Sequence, residues 1–350
     1  MNSSTPAEPL LQAKGVAQHY EISRPLPFMR KKIVKALDGV DLTVGEGSTL
    51  GVIGESGCGK STLARVLSGL EKPSSGTVLF QGQDINSLGG EERRRMRRNI
   101  QLIFQDPAAS LNPRMSVEQT LLEPFSIHPD VLPRNRRRDR VRELMELVGL
   151  NPDHITRFPH QFSGGQQQRI GIARGLSLGP KVLICDEAVS ALDVSVRAQV
   201  VNLLADLQEE MGLSYVFIAH DLQIVRHVSE EVSTMYLGKV VEQGPTDDIY
   251  VRAQHPYTQA LLSSAPELRN DPELARELIL LQGDPPSPVD PPSGCRFRTR
   301  CPVATDACAT DSPELISRVN GNDGLPTPSA DPHRVACIHP GPLSAAATAG

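Results

Sequence analysis

Gly54-Glu55-Ser56-Gly57-Cys58-Gly59-Lys60-Ser61-Thr62 is the stretch whose reading decides the fold. It meets the phosphate-loop pattern G-x-x-x-x-G-K-[ST] at every position. The apolar run Leu50 to Ile53 before it reads as a buried strand. Ser61 to Leu70 after it has helical spacing, with Leu63, Val66, Leu67 and Leu70 on one face. In that context the glycines let successive N–H groups converge on an anion, and the helix N-terminus adds its dipole. Lys60 supplies a point charge for the β- and γ-phosphates, and the Ser61 hydroxyl is placed to ligate Mg²⁺. The stretch reads as a nucleotide site.

A chain of 350 residues with 39% hydrophobic content can build one large domain and a smaller one. The net charge of −5 argues against wholesale nucleic-acid binding. No apolar stretch approaches the roughly 20 residues that cross a bilayer. The N-terminus lacks a basic segment followed by an apolar core, so the expectation is a cytosolic chain, or one held at a membrane through a partner. Six cysteines in such a chain read as thiols or metal ligands rather than disulfides.

Along the chain, Leu11 to Tyr20 and Ala36 to Val44 read as strands, separated by the proline-interrupted basic loop Ser23 to Lys32. The basic runs Glu91 to Arg98 and Arg134 to Arg142 are interrupted or preceded by acids and have no interleaved aromatics. They read as solvated helix faces, with a nucleic-acid contact as the competing reading. Ser116 to Leu178 has a helical pattern. Lys181 to Glu187 (KVLICDE) reads as a strand buried on both faces that delivers Asp186 and Glu187 at its C-terminal end, where open α/β sheets bind ligands. Asp186 is placed to hold Mg²⁺, which leaves Glu187 free to polarise a water. Ser214 to His220 repeats the geometry and delivers His220. Val232 to Glu242 reads as two strands around Gly238, and Thr246 to Leu262 as helix broken at His255-Pro256-Tyr257. From Ser263 proline becomes dense, which predicts a loop-rich appendix rather than a second core, and the final PGPLSAAATAG reads as disordered. Cys58 and Cys185 read as packing residues.

Between the loop and the acidic strand lies Phe162-Ser163-Gly164-Gly165-Gln166-Gln167-Gln168-Arg169. With it, the chain resembles the ATP-binding subunits of ABC transporters. The resemblance implies an α/β fold: a phosphate-loop core on a parallel sheet, an antiparallel β subdomain, a helical signature subdomain and a C-terminal appendix. It also implies that Ser163, Gly164, Gly165 and Gln166 cap the γ-phosphate of ATP held by another subunit's phosphate loop, so the working enzyme is a dimer. Gln105 then corresponds to the loop glutamine that touches Mg²⁺ and the attacking water, and Asp193 lies in the segment facing the partner subunit. His220 contacts the γ-phosphate, and Tyr20 stacks on adenine. Ala188-Val189 departs from the Pro-Thr commonly found after the glutamate. The implied boundaries are a disordered 1–10, an ATP-binding domain over 11–262 with its helical subdomain at about 90–178, a C-terminal region over 263–340 and a disordered 341–350.

A narrower resemblance rests on Phe104-Gln105-Asp106-Pro107, Ser110 to Met115, Ser190 to Val196 and His255-Pro256-Tyr257-Thr258. These are similar to the dipeptide and oligopeptide import ATPases, a group that includes nickel importers. That resemblance implies ATP hydrolysis driving peptide uptake from the cytoplasmic face of the inner membrane. The implied partners are a second ATP-binding subunit (identical or paralogous), two permeases and an extracytoplasmic solute-binding protein, with no nucleic acid. An ABC ATPase acting on DNA or ribosomes is the rival reading. Cys295, Cys301, Cys308 and Cys337 fall in the appendix. Members of the group carry a [4Fe–4S] cluster at such cysteines; zinc, or no metal, are the alternatives.

Overall fold

The apolar run Thr49–Ile53 forms β3, buried along its whole length at the middle of a nine-stranded sheet. In this computed structural model, residues 9–22, 31–265, 268, 277–320, 326–328 and 332–343 are described. Of the ends expected to be disordered over 1–10 and 341–350, residues 1–8 and 344–350 lie outside them, as does most of the proline-interrupted loop, at 23–30; Leu10 and Gly341 are held in the fold, their N–H groups donating to Val44 O and Gln254 O.

The strands flanking β3 are β6 (Ile100–Ile103), β7 (Val182–Asp186), β8 (Ser214–Ile218) and β9 (Glu231–Tyr236). They run parallel in the order β9-β3-β8-β7-β6. Alternation explains why β7 and β8 are apolar on both faces. Val182, Ile184, Val216 and Ile218 enter one core, and Leu183, Cys185, Tyr215 and Phe217 enter the other. Burying each such aliphatic side chain is worth about 1.5–3 kcal/mol.

The first core is closed by α1 (Lys60–Leu67) and by an antiparallel sheet of β1 (Leu11–Ile22), β2 (Lys32–Val44), β4 (Ser75–Phe80) and β5 (Gln83–Asp84). The second is closed by helices inserted between β6 and β7, including α4 (Val117–Ile127), α5 (Arg137–Leu147) and α6 (Gly164–Leu176), and by α7 (Val194–Met211). Here α2 (Gly90–Met96) and α3 (Pro107–Ser110) precede α4. The basic runs are neutralised locally: Arg94 pairs with Glu91, Arg98 with Asp130, Arg138 with Glu118 and Arg142 with Asp153. No helix among the described residues is long and apolar enough to cross a membrane.

The structure corrects one expectation. The helix after the phosphate loop stops at Leu67, and Leu70 is 51% exposed instead of sharing the buried face. Gly69, at φ 69°, takes the left-handed conformation; its N–H reaches Val66 O, and the Leu70 N–H reaches Arg65 O. Those two bonds satisfy the last carbonyls and end the helix. The C-terminal region, in turn, is loop-rich but docked. Its strands β11 (Ile316–Asn320), β12 (Pro326–Pro328) and β13 (Arg334–Val335) continue the main sheet antiparallel from β10 (Lys239–Pro245). Phe297 is buried against Tyr236, Leu237, Val241 and Tyr257. The break at His255-Pro256 is a helix start: α8 (Leu222–Val228) and α9 (Thr246–Arg252) are followed by α10 (Pro256–Ser263), with His255 as N-cap and Pro256 in the first turn.

Candidate active site

The phosphate loop leaves β3 at Gly54, whose φ of 152° and close backbone neighbour leave no room for a side chain. A Cβ there would lie 2.3 Å from Met235 O. The same holds at Gly59, at φ 111°, where a Cβ would meet Ala36 O at 2.3 Å. With Gly57 between them, these positions curl Glu55, Ser56 and Cys58 around the N-terminus of α1. Lys60 is buried, and its ammonium donates to the carbonyls of Gly54 at 2.7 Å and Glu55 at 3.0 Å. Cys58 is buried, and burial pushes its thiol up, so it packs rather than reacts. Cys185 is buried in β7 in the same way, pushed up to about 12.

The Ser61 hydroxyl donates to Asp186 Oδ1 at 3.2 Å across the gap between α1 and β7. Burial raises the Asp186 carboxyl above its ordinary range, with the Ser61 bond working against it. A hydroxyl and a carboxylate converging beside a loop of N–H donors form the hard-oxygen set that suits Mg²⁺ with nucleotide phosphates.

Glu187 follows in a left-handed conformation, φ 50°, with its N–H bonded to Ile218 O at 2.9 Å. Such a backbone is costly for a non-glycine residue and persists where neighbours hold it. It turns the carboxylate out of the strand line. There Gln105 Nε2 donates to Glu187 Oε2 at 2.6 Å, and His220 Nδ1 lies 3.7 Å from the same oxygen. A cavity of about 280 Å³ is lined by Ser56, Gly57, Gly59, Lys60, Ser61, Thr62, Gln105 and Glu187, with Val34, Ala36 and Pro288 completing it.

Tyr20 stands opposite Val34 in the β1–β2 pair, so it flanks this cavity; its hydroxyl donates to Glu71. The signature residues lie elsewhere. Ser163 N-caps α6 in a reciprocal box: its hydroxyl accepts the Gln166 N–H at 3.3 Å, and Gln166 Oε1 accepts the Ser163 N–H at 3.0 Å. Gly164 and Gly165 open the first turn, and a Cβ at Gly165 would lie 2.2 Å from Val196 Cγ1. Asp193 precedes α7 without capping it through its side chain. Neither Ser163 to Gln166 nor Asp193 lines the cavity of the phosphate loop.

Three contacts at the loop were not anticipated from the sequence. Arg300 forms a forked ion pair with Glu55, at 2.9 Å and 3.1 Å. The Glu55 N–H donates to the Tyr257 hydroxyl at 2.7 Å. The Lys35 N–H donates to Pro288 O at 3.1 Å, seating the C-terminal segment at the cavity's edge. The partners of Glu55 are 202 and 245 residues away, so no local pattern could have shown them.

Of the three alternatives for the cysteines, the cluster finds no support here. Cys295, Cys301, Cys308 and Cys337 line one space with His255 and His339, but that space is about 10 Å³. This is room for about one water, not for a cluster. Burial pushes Cys301 up to about 11 and Cys337 up to about 12. Among the described residues no group of three or more His, Cys, Asp or Glu side chains is arranged to hold a metal ion. The space as placed does not fit a [4Fe–4S] cluster.

Fold and site together define a phosphate-loop ATPase cassette. The family description "ABC transporter" matches residues 37–190, and "Oligopeptide/dipeptide transporter, C-terminal region" matches residues 241–308. The chain belongs to the ATP-binding proteins of ABC transporters, in their oligopeptide and dipeptide branch. The oligopeptide transport ATP-binding protein OppF of Salmonella typhimurium is 49% identical over 336 residues, 95% of this chain and 97% of its own. The oligopeptide transport ATP-binding protein AppF of Bacillus subtilis is 51% identical over 310 residues, covering 88% and 94%. The dipeptide transport ATP-binding protein DppF of Escherichia coli is 50% identical over 312 residues, covering 89% and 92%. Among solved structures, a dimeric post-hydrolysis state of the ATP-binding cassette MJ0796 bound to ADP and Pi superposes with a TM-score of 0.59 at 29% identity, covering 67% of this chain and 98% of that one.

Proposed function

We propose that this chain hydrolyses ATP to power the import of dipeptides or oligopeptides, acting as the energising subunit at the cytoplasmic face of the inner membrane. The observation that carries the catalytic part is the convergence of Gln105, Glu187 and His220 beside the Ser61–Asp186 pair. The names of the relatives support the choice of peptides.

In this reading the loop N–H groups and Lys60 hold the β- and γ-phosphates. Ser61, Asp186 and Gln105 would hold Mg²⁺, which when bound neutralises charge on the phosphate oxygens. Glu187 accepts a proton from the attacking water, and Gln105 fixes the carboxylate that does so. His220 contacts the γ-phosphate. Phosphoryl transfer depends mainly on positioning and electrostatics, so these groups act once assembled around the nucleotide. The assembly is completed by a second ATP-binding subunit, whose Ser163 to Gln166 equivalent meets this loop while this chain's own segment meets the partner's. Two permeases and a solute-binding protein complete the transporter. The domain division at about 262, with a helical subdomain over about 90–178, belongs to the same reading. The four C-terminal thiols are given no metal in it.

The test is to isolate the chain with its permeases in mild detergent, reconstitute it, and add binding protein loaded with peptides or with a nickel complex. Peptide-stimulated ATP hydrolysis is expected. Stimulation by nickel alone would move the substrate class, and co-purification with nucleic acid in place of permeases would overturn the transport reading.

A further inference from the structure

Glu55 places a carboxylate inside a loop whose task is to hold polyphosphate. Left unpaired, that charge would oppose the ligand at short range. The structure assigns its neutralisation to Arg300, and we infer that Arg300 is a positioning residue for the phosphate loop, acting through Glu55 to hold the site ready for ATP.

The geometry is specific. Both guanidinium NH groups reach the Glu55 carboxylate, the forked arrangement that fixes direction as well as charge. The Arg300 side chain is 8% exposed and that of Glu55 27%, so the pair is only weakly screened. The loop is gripped a second time where the Tyr257 hydroxyl accepts the Glu55 N–H. Arg300 is itself held from below: its N–H donates to Phe297 O at 2.9 Å, and the Phe297 ring is buried between Tyr236, Tyr257 and His255. The C-terminal region thus reaches Glu55 through the Arg300 ion pair, beside the grip of Tyr257 from α10, drawing the acidic side chain toward itself.

The inference rests on residues 54–62 being an ATP phosphate loop, and the experiment separates the two. The equilibrium Kd of the full-length chain for ATP is measured for the wild type, Arg300→Ala, Arg300→Lys and the double variant Glu55→Gln/Arg300→Ala, with thermal melts as a folding check. Arg300→Ala is expected to bind about tenfold more weakly, the scale of one lost charge-assisted pair. That loss should shrink as salt rises, because it is a repulsion. The double variant should recover most of it, since the offending charge has gone, and Arg300→Lys should lose about threefold, keeping the charge without the fork. An unchanged Kd for Arg300→Ala, or a double variant as weak as Arg300→Ala at every salt concentration, would overturn the inference while leaving the ATP site standing. A wild type that binds no ATP would overturn both.

Discussion

The amide of Gln105 donates to the carboxylate of Glu187 at 2.6 Å, and the two residues lie just beyond the C-terminal ends of the neighbouring strands β6 and β7. In the proposed mechanism this bond lets Gln105 orient Glu187 in addition to holding Mg²⁺. Gln105→Ala is expected to lower kcat by roughly 10–100-fold while KM for ATP moves by less than about threefold. Steady-state hydrolysis by the assembled transporter checks this, and a rise in KM at constant kcat would contradict it.

Asp186 carries a conflict between stability and chemistry. Burial raises its carboxyl above the ordinary range, so the folded chain holds this proton to higher pH than the unfolded chain does. Stability therefore falls as pH rises through that interval, and the ionised group remains a cost above it. Asp186→Asn removes the cost. Without Mg²⁺ at neutral pH the variant should melt about a degree or more above the wild type, a gap that closes on acidification. The same variant should lose at least about 100-fold in Mg²⁺-dependent turnover. A variant that melts lower at neutral pH would contradict the account.

His255 works in the opposite sense. Burial lowers its imidazole from 6.5 to about 4, with the nearby Glu242 opposing. Among the described residues the His333 ring also meets this carboxylate, 2.8 Å from Glu242. Because the folded value lies below the unfolded one, the contribution of His255 is intact above pH 6.5 and is lost as pH falls toward about 4. At the acid end the loss amounts to about 3 kcal/mol. Its Nδ1 accepts the Tyr257 N–H at 3.1 Å, a capping role that asparagine can also fill. His255→Asn should therefore flatten the decline of melting temperature between neutral pH and roughly pH 5. An unchanged slope would rule this out.

What could be read in advance was local. The phosphate loop, the buried strand ending in Asp186-Glu187, and the strand delivering His220 each announce themselves within about ten residues through periodicity and glycine placement. The family resemblance added the expectation of a second anion site at Ser163 to Gln166, residues that lie outside the cavity of the chain's own phosphate loop. The contacts that could not be read are those joined by tertiary packing. Arg300 meets Glu55 across 245 residues of sequence. β13 is two residues long, too short to show any alternation. Gly69 ends the helix through its left-handed φ of 69°, which an apolar periodicity running on to Leu70 does not report. The four cysteines share one wall, but the space they enclose, about 10 Å³, does not hold a cluster.

The most direct measurement is ATP hydrolysis by Glu187→Gln in the reconstituted transporter, together with the oligomeric state of the ATP-bound chain. The exchange removes the proton acceptor while keeping a side chain that Gln105 can still contact. Turnover is predicted to fall at least about 100-fold, with the ATP-bound dimer accumulating. Hydrolysis at the wild-type rate would contradict the assignment of Glu187 and the mechanism built on it.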